Sequence, residues 1–218
     1  MKYFNCLILL VFCLTECNLN KEKTTGNKSN LVTTKYDSTK SFRIDNYWAT
    51  PKPKIEFNTL NLAGKDTLDL VICADYVYWP FGFIKNKDMF ASSILKNFSL
   101  NNKHIVNEAD AFEIQVLKLK SSKLIFCFDD TDSATHSDIY KGEIYDSEVQ
   151  FINGLKIGID KTDFYNLFFD YFPTELTSKY KVVELESCID GIKHLYTFKN
   201  GKLNSVKFIS NFTFKADY

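Results

Sequence analysis

The chain has 218 residues, and its 27 basic and 27 acidic side chains cancel at pH 7. Hydrophobic residues make up 45% of the chain and aromatic residues 16%, which excludes an intrinsically disordered protein and predicts a body with a substantial core. The sequence shows no basic patch and only one arginine, Arg43, so nucleic-acid binding is not expected.

Residues 1–17 (MKYFNCLILLVFCLTEC) have the pattern of an export signal. Lys2 precedes an apolar run that is too short to span a bilayer, since a span takes about 20 apolar residues. The run ends in Leu-Thr-Glu-Cys, which resembles the processing box of bacterial lipoprotein signals, although Glu16 replaces the usual small residue. The resemblance implies lipidation of Cys17 and anchorage in the bacterial cell envelope, on the outer membrane in preference to the inner one. The alternatives are an uncleaved anchor or a secreted protein that is cut elsewhere.

Residues 18–54 are predicted to lie outside the folded body. The first part is polar enough to be a disordered tether. A transition segment, Phe42–Lys54, follows, in which Tyr47 and Trp48 could dock on the domain. The remaining residues, 55–218, are then expected to form a single domain.

The first half of the body, residues 55–150, is predicted to contain strands around one helix. The run KLIFCFDD is apolar on both faces, which predicts a central strand. The predicted elements are a hairpin of residues 55–62 and 67–73, an aromatic loop over 75–86, a helix over 87–98, and strands over 111–120, 123–129 and 143–151.

The second half, residues 151–218, begins with a helix capped by Asp160 and stopped by Pro173. Its apolar face comprises Phe164, Leu167, Phe168, Tyr171 and Phe172. Strands follow over 179–187, 193–199 and 202–214, and Asn-Gly at 200–201 predicts a type I′ hairpin. In the last strand, one face carries Val206, Phe208, Phe212 and Phe214.

Both halves place a helix before a run of strands, with Gly82 and Gly158 each preceding a helix. The pattern predicts an α+β fold, an antiparallel sheet with two helices on one face, and two tandem helix-plus-hairpin modules over 55–150 and 151–218.

The stretch LKIGIDKTDFYNLF … HLYTFKNGKLNSVKF in the second module resembles small envelope lipoproteins of the BamE/SmpA type. A doubled module resembles the tandem fold of β-lactamase inhibitor protein, and the chain as a whole is similar to envelope lipoproteins of Bacteroidetes. The resemblance implies a non-enzymatic, protein-binding role and transfers no functional residue.

Three cysteines belong to the body: Cys73, Cys127 and Cys188. They allow at most one disulfide, which an oxidising compartment would permit, and their spacing does not suggest zinc. Cys73 and Cys127 fall in strand-like runs, where a buried thiol is the common state.

Metal and cofactor motifs are sparse. His104 and His136 are predicted in loops and His194 in a strand, and dispersed surface histidines of this kind do not indicate a shared metal site. No nucleotide-binding or catalytic motif is present, so no cofactor is expected.

The acidic loop 129–138 is the best candidate for a metal site. Asp130, Asp132 and Asp138 could supply oxygens to a weak, partly hydrated calcium ion, although Ala134 and Lys141 exclude an EF-hand. The alternative is a solvated loop between strands.

The aromatic loop carries the candidate partner-binding residues Tyr76, Tyr78, Trp79, Phe81 and Phe83. Aromatic side chains anchor protein interfaces, but the same residues could instead cover one end of the sheet as core.

The function expected from these features is that of a membrane-anchored envelope lipoprotein of the binding or scaffold type, with an envelope protein as partner. One alternative is a carrier of a small apolar ligand. A less favoured one is a hydrolase that uses dispersed carboxylates such as Asp75, Glu113 or Glu143.

Overall fold

A nine-stranded sheet organises the part of the chain that the computed structural model describes, which is residues 40–61, 65–106, 111–128, 139–189 and 191–211. The strands of this part are β1 (Phe42–Ile44), β2 (Tyr47–Pro51), β3 (Phe57–Asn61), β4 (Thr67–Ile72), β5 (Ser99–Val106), β6 (Ala111–Leu119), β7 (Ser122–Phe126), β8 (Ile139–Ile144), β9 (Phe169–Tyr171), β10 (Val182–Ser187), β11 (Lys193–Lys199) and β12 (Lys202–Ile209). The helices are α1 (Asp75–Tyr78), α2 (Lys87–Ser92), α3 (Lys161–Phe168) and α4 (Thr174–Lys179).

The sheet has the order β3-β4-β10-β11-β12-β8-β7-β6-β5. Two antiparallel meanders, β5 to β8 and β10 to β12, meet where β12 pairs with β8. The hairpin β3-β4 joins this sheet through the parallel pairing of β4 with β10. The mixture of helices with a mainly antiparallel sheet agrees with the predicted class, but the described part has four short helices where two were expected.

The core lies between the helices and one face of the large sheet. Phe164 of α3 lies within this core, with its ring centroid 5.0 Å from the rings of both Tyr196 and Phe198. Offset and edge contacts of this kind add to the hydrophobic gain from burial. The predicted apolar face of the second helix is therefore confirmed at Phe164 and Phe168, which are buried.

A smaller sheet, β1-β2-β9, packs beside the first. Ile44 and Ala49 are buried in the same core as the large sheet, and Phe42 contacts Phe57. The segment expected as a transition outside the domain is thus folded into it. Tyr47 and Trp48, which the sequence suggested could dock on the domain, are among its exposed side chains.

The second predicted helix is shorter than expected. Asp160 is its N-cap residue, as predicted, but its carboxylate accepts a hydrogen bond from Lys202 at 3.0 Å. The helix ends at Phe168 because residues 169–171 pair with β2 instead, and α4 follows Pro173.

Several boundaries in the first half also differ from the prediction. The aromatic loop contains α1, α2 ends at Ser92, and β8 ends at Ile144 where a strand over 143–151 was expected. The strand β5 was not predicted. The central position of the KLIFCFDD run is confirmed, since β7 lies between β6 and β8.

The turn between β11 and β12 forms as predicted. Asn200 and Gly201 have φ angles of 53° and 73°, the left-handed values that a type I′ turn requires at both central positions. Val206 and Phe208 are buried on one face of β12, as expected, whereas Phe212 and Phe214 lie outside the described residues.

No helix in the described ranges has both the length and the hydrophobicity that a bilayer crossing needs.

Candidate functional site

The aromatic loop is divided between core and surface. Tyr78 and Phe81 are only 7% and 3% exposed, and the Tyr78 hydroxyl lies 2.7 Å from that of Ser187. Tyr76 is half-buried against Phe168 and His194. Of the two interpretations of this loop, the core interpretation therefore holds for Tyr78 and Phe81, and neither residue is available to a partner.

The outward part of this loop is an apolar patch of Trp79, Phe83 and Ile152, called here the 79–83 patch. Phe83 is 39% and Ile152 53% exposed, and the rings of Trp79 and Phe83 meet edge to face at 5.1 Å. The Ile152 amide donates to the carbonyl of Pro80 at 2.9 Å, which fixes the two segments together. Gly82 allows the turn, because its φ of +86° is unfavourable for other residues.

A buried polar chain ties α1 to the sheet. The hydroxyls of Tyr76 and Tyr196 are 2.9 Å apart, and the Tyr196 hydroxyl lies 3.0 Å from Nδ1 of His194. Burial lowers the pKa of His194 to about 3, so the ring is neutral at ordinary pH. Burial also raises the pKa values of both tyrosines. These groups are therefore uncharged at ordinary pH and hydrogen-bond to one another.

His194 is in a strand, as predicted. It is only 1% exposed, so the expectation of a surface residue is wrong. His104 lies in β5 and not in a loop, with its side chain exposed. His136 lies outside the described residues, as do the calcium candidates Asp130, Asp132 and Asp138 and the lipidation residue Cys17.

A polar groove of about 790 Å³ opens between α3, α4 and the β11–β12 turn. Its lining is rich in lysine and hydroxyl side chains, namely Lys161, Lys181, Lys199, Thr162, Thr174, Thr177 and Ser178. Lys161 is 8% exposed, and its ammonium donates to the carbonyl of Tyr180 and lies 5.3 Å from the centre of the Phe198 ring. Nothing in the sequence distinguishes this lysine from its exposed neighbours.

Burial of Lys161 is expected to make the free energy of unfolding change with pH in the alkaline range. Burial lowers the pKa of Lys161 below its ordinary value near 10.5, so the unfolded chain binds more protons between the two pKa values. We therefore expect the free energy of unfolding to rise with pH as it approaches 10.5. Urea denaturation at pH 7 to 10 should show a steeper rise for the natural chain than for Lys161→Met. The exposed Lys199→Met is the control, and equal slopes in all three proteins would contradict the prediction.

A cluster of charges lies on the other face of the sheet, across β4, β10 and β11. Parallel pairing places Glu184 beside Asp69, and antiparallel pairing places Glu186 beside Lys193. Nζ of Lys193 is 2.6 Å from Glu184 and 3.0 Å from Glu186. One carboxylate oxygen from each of Asp69, Glu184 and Glu186 lies within 4.8 Å of the others.

Asp69 is the unusual member of this cluster. It is 8% exposed, and among the described residues its Oδ1 atom has no hydrogen-bond partner. Burial and the charges of Glu184 and Glu186 raise the pKa of Asp69. The hydrogen bond to Glu184 is the main cause that raises the pKa of Lys193. Sequence reasoning did not find this cluster, although Asp69, Glu184 and Glu186 alternate with buried apolar residues.

The dispersed carboxylates considered for a hydrolase do not converge within the described ranges. Asp75 begins α1, Glu113 lines a groove beside Cys127, and Glu143 lines a different groove with Lys207. Nζ of Lys207 is 3.7 Å from Glu143.

Cys73 and Cys188 form a disulfide with Cα atoms 5.2 Å apart. They directly follow β4 and β10, whose parallel pairing in register brings the two ends together. The limit of one disulfide is confirmed, whereas the expected buried thiol at Cys73 is wrong. Sγ of Cys127 lies 3.6 Å from the carbonyl oxygen of Glu113.

No family model, curated protein or solved structure matches this chain. The function is therefore inferred from the residues and contacts described above.

Proposed function

We propose that the chain is an exported, lipid-anchored, non-catalytic binding protein of the bacterial envelope. The observation that carries this proposal is the Cys73–Cys188 disulfide, because such bonds persist in oxidising compartments and are rare in the cytosol. It agrees with the export signal in residues 1–17. Acylation at Cys17 and attachment to the outer membrane are part of the proposal and rest on the pattern of that signal alone.

The 79–83 patch is the proposed contact for an envelope protein partner. Trp79 and Phe83 belong to the residue types that dominate binding energy at protein interfaces, and Ile152 extends their apolar surface. The Trp79 ring is half-buried, which restricts its motion and lowers the entropy lost on binding.

The topology supports two tandem modules. In the first, α2 precedes the meander β5 to β8, and in the second, α3 and α4 precede the meander β10 to β12. The hairpin β3-β4 and the sheet β1-β2-β9 are then additions to the paired modules. This arrangement is compatible with the resemblance to small envelope lipoproteins and with the protein-binding role that the resemblance implies.

The two alternative functions have less support. Three grooves among the described residues are open, and most of their lining residues are charged or polar, so these three give no support to a carrier of an apolar molecule. The separation of Asp75, Glu113 and Glu143 gives no support to a hydrolase that would use them together.

Cross-linking in cells tests the partner surface. We expect one dominant envelope protein to be captured by the natural chain, and the double variant Phe83→Ser/Ile152→Ser to capture it at least tenfold less, since anchors of this kind contribute about 1–2 kcal/mol each. Ile189→Ser is the matched control, because Ile189 is 72% exposed and outside the patch. Equal capture by the double variant and the control would reject the patch as the contact.

Labelling with palmitate tests the anchor separately. Cys17→Ala should remain as unprocessed precursor and incorporate no label, because the thiol that receives the lipid is removed. Incorporation of label into this variant would show that a residue other than Cys17 carries the lipid.

A further inference from the structure

We infer that Asp69, Glu184 and Glu186 form a binding site for a hard divalent cation, with calcium as its preferred ion. The three carboxylates come from two neighbouring strands, so the backbone pairing of β4 with β10 holds them in place before any ion binds. This site is distinct from the acidic loop that the sequence suggested.

The unpartnered Oδ1 atom of the Asp69 carboxylate is the observation that points to a ligand. Asp69 is 8% exposed, one of its oxygens lies within 4.8 Å of both glutamates, and among the described residues its Oδ1 accepts no hydrogen bond. A buried carboxylate with an unsatisfied oxygen costs folding free energy unless a cation or donor compensates it. Lys193 does not fill this role, because its hydrogen bonds go to Glu184 and Glu186.

The charge of the cluster fits one divalent cation. Three carboxylates and the Lys193 ammonium leave a formal charge of about −2 when all are ionised. A divalent ion would neutralise this charge, whereas a monovalent ion would leave part of it buried. The Lys193 side chain is 34% exposed, so its flexible stem can move aside while it keeps its contact with a glutamate.

The chemistry of the donors selects a hard ion. All three groups offer oxygen, and calcium binds carboxylate oxygens at about 2.3–2.6 Å, so two of its ligands are at most about 5 Å apart. The 4.8 Å limit for the three oxygens lies within that span. The side chains of Glu184 and Glu186 are 15% and 29% exposed, which gives water access to complete the six to eight ligands of calcium.

Titration of CaCl2 into the full chain, purified in detergent and treated with chelator, tests the site. We expect one bound ion with a Kd of about 10⁻⁴–10⁻³ M, the range of extracellular calcium modules, and a Tm rise of roughly 3–8 °C at 10 mM CaCl2. NaCl of equal ionic strength is the control. Absence of both binding heat and a Tm rise would overturn the inference, and tighter binding of MgCl2 would overturn the choice of calcium.

Three variants separate a cation site from an ordinary salt bridge. Asp69→Asn should weaken calcium binding at least tenfold, while the control Asp66→Asn should leave it unchanged, because Asp66 is exposed and pairs with Lys181. Lys193→Met should strengthen calcium binding several-fold, because it removes the competing ammonium. Unchanged calcium affinity in Asp69→Asn or in Lys193→Met would overturn the site. If one of these two variants does not fold, the other still tests the site.

Discussion

Reduction of the Cys73–Cys188 disulfide is expected to lower the free energy of unfolding by about 3–5 kcal/mol. The two cysteines are 115 residues apart, so the bond closes a long loop and removes many conformations from the unfolded chain. The hairpin β3-β4 reaches the rest of the large sheet only through β10, among the described strands. Loss of the bond beside that pairing should therefore expose the amides of β4 to hydrogen exchange before those of β11 and β12.

Urea denaturation with and without dithiothreitol measures the effect. The double variant Cys73→Ala/Cys188→Ala should match the reduced natural chain and lose its response to the reductant. Cys127→Ser should keep the full response, because that residue is outside the disulfide. A denaturation midpoint that does not move on reduction would contradict both the expected stabilisation and the main support for export.

Local turn chemistry explains the parts of the fold that the sequence predicted. The meander β10 to β12 follows from alternating apolar residues and the Asn200-Gly201 turn, whose partners are close in the chain. The strand pair β6-β7 was predicted for the same reason, although its turn lies at Lys120 and Ser121, one residue earlier than expected.

Long-range pairing explains what the sequence did not predict. Residues 169–171 continue the helical pattern of α3, yet they become a strand because β2, more than 100 residues earlier, pairs with them. The spacing of apolar residues indicates which face of an element is buried. It does not indicate which distant strand will pair with that element.

The candidate sites depend on the same long-range pairing. The parallel register of β4 and β10 creates both the disulfide and the cluster of Asp69 with Glu184 and Glu186. The aromatic loop could be identified from the sequence because its aromatic residues are neighbours in the chain. Which of them are buried, as Tyr78 is, and which are exposed, as Phe83 is, depends on where the sheet lies in the fold.

Acid is expected to destabilise the protein through His194. The pKa of this buried ring is about 3 in the folded protein and about 6.5 when unfolded, so the unfolded chain alone takes up the proton between these values. Its contribution to stability is complete above pH 6.5 and is lost as the pH falls toward 3. The slope is about 1.4 kcal/mol per pH unit, and the loss from this group approaches 4–5 kcal/mol at pH 3.

The variant His194→Gln isolates this effect, because glutamine retains a donor and an acceptor near the Tyr196 hydroxyl but does not titrate. Urea denaturation from pH 7 to 4 should give a shallower loss of stability for His194→Gln than for the natural chain. The difference in slope should correspond to the uptake of about one proton on unfolding. His104→Gln should follow the natural chain, since the His104 side chain is exposed. Parallel curves for His194→Gln and the natural chain would mean that the ring is protonated inside the core. The chain of Tyr76, Tyr196 and His194 would then hold a charge, and its role as a neutral link between α1 and β11 would have to be abandoned.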